Sequence, residues 1–268
     1  MASILAIDPA WTVDEPSGIA LLQAVDHGWC CVGLAPSYEQ FVMLADGSEV
    51  DWSVNPTASR PVVGDLLVAA NRLLGGAAVD LVTIDMPVST SVICARRAAD
   101  NAISHTFGGR ACGTHTPSAA RPGPISDVLS AEFAHFGFPL ATTKTPPGTT
   151  RSLVEVYPHP ALLVLMSAAY RVQYKVSKAG RYWPKVSPSE RRRKLVETWN
   201  EIRGALGETI TGAELPLPAL DEAERLRTSG LKRYEDALDA LICGWVGVCY
   251  LDGHCTAYGD EIAAIWTP

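Results

Sequence analysis

SILAID at residues 3–8 and VDLVTID at residues 79–85 are two short apolar runs, and each ends in an aspartate. Runs of this length bounded by turn residues read as strands. After the first run, SGIALLQAV at 17–25 and GWCCVGLA at 28–35 follow with short turns between them, which predicts a hairpin-linked meander of three strands. Residues 61–74 then place Val62, Val63, Leu66, Leu67, Ala70, Leu73 and Leu74 at helical spacing, and Gly75-Gly76 separates them from the run at 79–85. A strand-helix-strand crossover makes its strands parallel, so Asp8 and Asp85 are expected at the same sheet edge.

Further along, residues 94–107 and 125–136 read as helices on either side of a Gly/Pro/Ser/Thr-rich loop at 108–124. RSLVEVYPHP at 151–160 supplies a strand from Leu153 to Tyr157, with Glu155 and His159 near its outgoing end. Glu155 shares a face with Leu153 and Tyr157, so it is either exposed at the sheet end or paired with a base. Ser187-Pro188-Ser189-Glu190 carries a cap, a first-position proline and a capping-box glutamate, which opens a helix to about Arg203. Its Leu195, Val196, Trp199 and Ile202 face inward, with Arg193 and Lys194 toward water. LKRYEDALDALICGWVGVC at 231–249 sets Leu238, Leu241, Ile242, Trp245 and Cys249 on one side of a helix and Asp236 with Asp239 on the other. IAAIW at 262–266 is the last apolar element. There is no internal repeat, and the expectation is one mixed α/β domain over residues 1–268, with insertions at about 108–150 and 165–225.

A chain of 268 residues that is 47% hydrophobic is not disordered. Its formal charge of -7 conceals an uneven distribution. Residues 171–194 hold nine lysines and arginines against Glu190 alone, so that window carries +8 and the remainder -15. A local positive field attracts phosphates whatever the total. Tyr170, Tyr174, Tyr182 and Trp183 lie among these cations, a mixture suited to stacking on bases while the cations neutralise a backbone. No stretch of 18 residues is free of polar groups, MASILAIDPAW lacks a basic region before its apolar run, and the seven cysteines form no CxxC. A cytoplasmic protein with no membrane partner is expected. No GxxxxGK[ST], GxGxxG or GxSxG occurs. Cys94, His105, Cys112 and His115 have zinc-ligand chemistry without a common finger spacing.

Asp8, Asp85, Glu155, Asp236 and Asp239 are the candidate acids. Taken singly, an aspartate after a strand is often a turn or cap residue, and two acids on a helix are often its wet face. Brought together, carboxylates repel and lose hydration, a cost relieved by Mg²⁺ or Mn²⁺. Two such ions roughly 4 Å apart support in-line hydrolysis of a phosphodiester. His115 and His159 are candidates to move protons near neutral pH. Arg96, Arg97, Lys144, Lys185, Arg191, Arg193 and Lys194 are candidate phosphate contacts.

ILAIDPAW, VTIDMP, the RRAAD stretch at 96–100, GTHTP at 113–117, VEVYPHP, the basic segment, YEDALDALICG and the terminal GDEIAAIWTP together resemble the DUF429 family of predicted nucleases, placed in the ribonuclease H-like superfamily. The resemblance spans almost the whole chain. It implies a five-stranded mixed sheet in the order 3-2-1-4-5 with helices on both faces and helical insertions. It also implies that Asp8, Asp85, Asp236 and Asp239 are metal ligands and catalytic acids; the residues themselves add Glu155 and His159 as catalytic candidates. The expected activity is metal-dependent cleavage of DNA or RNA with Mg²⁺ or Mn²⁺. The competing readings are a non-catalytic nucleic-acid-binding or scaffold protein and a phosphotransferase of a related actin-like fold.

Overall fold

Strand β1 (Ser3–Asp8) sends Ile4 and Ala6 to one face and Leu5 and Ile7 to the other, and all four are buried. The sheet built on it is therefore covered on both sides. The computed structural model describes residues 1–12 and 14–268. It adds β2 (Gly18–Val25), β3 (Gly28–Ala35), β4 (Leu81–Ile84), β5 (Ser152–Val156), β6 (Ile210–Thr211), β7 (Thr256–Gly259) and β8 (Ala264–Thr267). Their order is β6-β3-β2-β1-β4-β5-β8-β7. The meander β1-β2-β3 is antiparallel, β4 is parallel to β1, and β5 and β8 continue the parallel run.

This corrects the expected five-stranded ribonuclease H-like sheet, because eight strands form among the described residues. Both edges of the middle five are extended. Ile210–Thr211 pairs with Trp29 and Cys30 of β3, and the chain end folds as a hairpin whose β8 lies against β5 through Glu155↔Ile265 and Val156↔Trp266. Pairing these edges satisfies backbone groups that would otherwise stay open to other chains. A two-residue strand has no periodicity to detect, and the half-exposed TAYG of β7 has too few apolar residues to stand out.

The helices are α1 (Tyr38–Ala45), α2 (Val63–Leu73), α3 (Ala98–Phe107), α4 (Pro124–His135), α5 (Pro158–Leu165), α6 (Ala179–Tyr182), α7 (Pro188–Gly207), α8 (Leu220–Arg225) and α9 (Thr228–Leu251). Side chains of α1, α2 and α4 pack with Leu5 and Ile7, those of α5, α7 and α9 pack with Ile4 and Ala6, and α3 covers Ile265 of β8. Helix α7 starts as its sequence directs, with the Ser187 hydroxyl accepting the Glu190 N–H at 3.3 Å, and runs on to Gly207. Among the described residues no helix is long and apolar enough to cross a membrane.

Helix α9 is buried around nearly its whole circumference, which is the pattern of a helix inside a protein rather than on its surface. One side meets α5 and α7, and the other lies directly on β1, β2 and β4. Two glycines make that approach possible. A Cβ at Gly247 would stand 2.9 Å from the side chains of Ile4 and Thr83, and one at Gly18 of β2 would stand 2.0 Å from the backbone oxygen of Asp236. Backbone cannot yield as a flexible side chain does, so Gly18→Ala should cost about 3 kcal/mol in urea unfolding. Gly108→Ala, where a Cβ meets nothing within 4 Å, should change little in the same experiment.

Candidate metal centre

Parity and register place the first two acids. Asp8 follows Ile4 and Ala6 in the two-residue period of β1, so its carboxylate projects on the α9 side. Asp85 follows Leu81 and Thr83 in the same way, just beyond β4. The pairing Ile7↔Ile84 and a 3.0 Å hydrogen bond from the Asp85 N–H to the Ile7 carbonyl hold the two strand ends level. Helix α9 brings the others. Asp8 stands opposite Gly18 in the β1-β2 ladder, and Gly18 touches the backbone of Asp236. Ligand oxygens of Asp8, Asp236 and Asp239 consequently lie within 4.8 Å of one another, and no second group of three such residues gathers among the described residues. Asp236 and Asp239 are 3% and 0% exposed, whereas Asp8 and Asp85 keep partial access to water.

Two lysines balance part of this charge. Lys175 bonds Asp239 and stands 3.8 Å from Glu235; Lys232 bonds Asp236 and stands 3.0 Å from Glu235. Tyr174 donates to the other oxygen of Asp239 at 2.7 Å, and the Val176 N–H donates to Glu235. Burial pulls the Lys175 ammonium down, but Asp239, Tyr174 and Glu235 outweigh it and hold the group charged. Five carboxylates (Asp8, Asp85, Glu235, Asp236, Asp239) against two ammoniums leave a formal -3 when all are ionised. One divalent cation lowers that to -1, and a second would reverse its sign.

The carboxyl groups record the imbalance. Burial, then the Asp239 charge, raises Asp8 well above the ordinary range, with Lys175 pulling the other way. Burial pushes Asp85 and Asp236 up to about 7 against the opposing pull of Lys175 and Lys232 respectively. Asp239 is also raised by burial, against Lys175. A hard cation fits what is left. The Asp236 Oδ2 atom is buried with no hydrogen-bond partner, no donor among the described residues reaches the Asp8 carboxylate, and the donor set is all oxygen. Asp8, Asp236 and Asp239 can hold a metal ion such as Mg²⁺ or Mn²⁺.

The other sequence candidates divide. Asp85 lies outside the group of three and lines a small neighbouring cleft with Trp11, Arg97, His115, Glu155 and Tyr157. Glu155 is engaged by Arg97 through two contacts of 2.6 Å and by the Val88 N–H at 3.0 Å, so the base it needed is Arg97. All five N–H groups of Arg97 are occupied, by Glu155, Asp100 and the Val88 carbonyl. Arg96 binds Asn101, Ser104 and Thr114 and so pins the 113–117 segment to α3. His159 is buried, accepts from Arg171 at Nε2, and is held well below its ordinary pKa by burial and then by Arg171 and Lys175, so it is neutral. Lys144 pairs with Glu261 on the surface, Arg193 with Glu197 and Glu224, and Arg191 donates to the carbonyls of Trp183 and Pro184; Lys185 is exposed. Cys94, His105, Cys112 and His115 do not gather. Sequence reasoning missed Lys175, Lys232 and Glu235. Lys232 carried a signal, since it precedes Glu235 by three and Asp236 by four residues on one helix face.

The model of the family described as a protein of unknown function, DUF429, matches residues 18–263, and the chain belongs to that family. No curated protein and no solved structure matches it.

Two measurements probe these charges. A carboxyl raised in the fold keeps its proton where the unfolded chain has lost it, so between 3.8 and about 7 the folded state binds more protons and loses stability as pH rises. In EDTA, Asp236→Asn should therefore gain stability relative to the unsubstituted chain as the pH of urea unfolding is raised through that window; a difference that stays constant with pH would contradict this origin. Glu155→Gln leaves Arg97 a weaker partner in a buried site and should cost about 3 to 5 kcal/mol in thermal unfolding.

Proposed function

Starting from this family membership, we propose that the chain is a metal-dependent phosphodiesterase acting on nucleic acid. The observation that carries this reading is the convergence of Asp8, Asp236 and Asp239 around a buried, unpartnered Asp236 oxygen. In this reading the three aspartates hold Mg²⁺ or Mn²⁺, which supplies Lewis acidity toward a phosphoryl oxygen. Tyr174 and Lys175 fix Asp239, and Lys232 fixes Asp236, so two of the three ligands are held in place by neighbours before any substrate arrives. Asp85 is free of those contacts and is raised to about 7, which suits its carboxylate to accept a proton from the attacking water at neutral pH. The partial exposure of Asp8 and Asp85 leaves one side of the site open to a large substrate. The cations of residues 171–178 favour a polyanion there.

Incubation with single-stranded DNA, duplex DNA and RNA in Mg²⁺ or Mn²⁺ should give cleavage that EDTA abolishes. Asp8→Asn and Asp239→Asn should lose about a hundredfold or more of it, together with the rise in melting temperature that the metal produces. Asp85→Asn should lose about a hundredfold in rate while keeping that thermal response. Undiminished cleavage by a folded Asp8→Asn protein would overturn the assignment.

A further inference from the structure

Residues 171–178 cross beside the carboxylates as a strap. Its centre is tied down, because Tyr174 and Lys175 bond Asp239 and the Val176 N–H bonds Glu235. Its two ends are different. Arg171 and Lys178 form no ion pair among the described residues, although abundant acid lies close by. Arg171 donates to the Ala111 carbonyl at 3.2 Å and to His159 Nε2, both uncharged acceptors. Its own Nε, Nδ1 of His159, a residue only 5% exposed, and the hydroxyl of Tyr182, which lies beside Arg171, are buried polar atoms outside any close hydrogen bond. The positive field at this place acts on its neighbours. Partial burial and then Lys178, Arg171 and Arg121 hold His115 below its ordinary pKa, and burial followed by Arg171 and Lys175 does the same to His159.

Cations gathered without a counter-charge repel one another, and unpartnered buried donors each forgo a hydrogen bond. An anion with several acceptor oxygens relieves both costs at once. The arginines at the start of α7 offer no equivalent. Arg191 and Arg192 are consumed by backbone carbonyls, and Arg193 by Glu197 and Glu224. We propose that Arg171 and Lys178, with the Tyr182 hydroxyl, form a subsite for a phosphate group of the substrate, adjoining the aspartate centre. The identity of that substrate as a nucleic acid rests on the function proposed above; the phosphate subsite itself does not. A planar guanidinium already oriented by Ala111 and His159 presents its remaining N–H groups in a fixed direction, while Lys178 adds a mobile point charge. The strap thereby couples the two halves of the site, one end of it holding phosphate and the middle holding the ligand Asp239.

Calorimetric titration of the full chain with inorganic phosphate in EDTA separates this from catalysis. The unsubstituted chain should bind phosphate, and Arg171→Gln and Lys178→Gln should each weaken binding by about tenfold, the factor expected for one charge-assisted contact. Lys178 makes no side-chain hydrogen bond among the described residues, so its substitution leaves the fold intact even if that of Arg171 does not. Arg72→Gln, on the other side of the sheet, should bind as before. Asp8→Asn should bind phosphate equally or more tightly, having one negative charge fewer. No detectable binding by the unsubstituted chain, or equal binding by the Lys178 and Arg72 variants, overturns the subsite. Phosphate binding with the expected variant pattern upholds it even where no metal-dependent cleavage is found, an outcome that would remove the hydrolase reading alone.

Discussion

The contact between the Gly18 position of β2 and the backbone of Asp236 governs the rest of the molecule. With no side chain between them, α9 lies on the sheet at backbone distance, and the acids of its third and fourth turns are delivered over the end of β1. The same closeness strips water from those acids. Burial is the leading cause of the upward shift at Asp8, Asp85, Asp236 and Asp239 alike, which marks desolvation as the cost of the arrangement. Lys175 and Lys232 offset part of it from opposite sides, one from the strap and one from the helix itself. What they leave uncompensated is a negative site with free oxygens, a donor set that could hold a cation.

On the other face of β5, a buried ion network solves a different problem with the same residue types. Arg97 satisfies Glu155 and Asp100 completely and reaches the Val88 carbonyl, fastening the start of α3 to the sheet and to the segment after β4. No donor or acceptor is left over on the guanidinium. The contrast with Arg171 is instructive: one arginine is closed by carboxylates, and the other is oriented by neutral partners with its charge left unmatched.

The short apolar runs SILAID and VDLVTID made β1, β4 and their terminal aspartates legible, and the crossover between them set their common direction. The helix carrying Asp236 and Asp239 was equally plain, but its environment was not. Reading the acids as lying opposite the large apolar side chains was correct in angle and misleading about water, because that side also carries Ala237, Ala240, Gly244 and Gly247. Small residues add little to a hydrophobic stripe yet permit the closest packing, so a face made of them looks polar in sequence and is buried in the fold. Sequence grouped Glu155 with the other acids; the pairing of β5 with β4 puts it in register after Leu153 of the opposite layer, away from Asp8. The edge strands were illegible because Ile210–Thr211 is too short for a period and β7 is half exposed. The basic segment advertised its charge without revealing that its outer arginines would be spent on carbonyls.

The centre joins residues far apart in the sequence, Asp8 at the end of β1 with Asp236 and Asp239 on α9. Until α9 docks, the Ile4 and Ala6 face of the sheet lacks its cover, and the lone Asp8 is an ordinary carboxylate at a strand end. Docking of α9 over β1 is the single step that both completes this hydrophobic layer and gathers Asp8, Asp236 and Asp239.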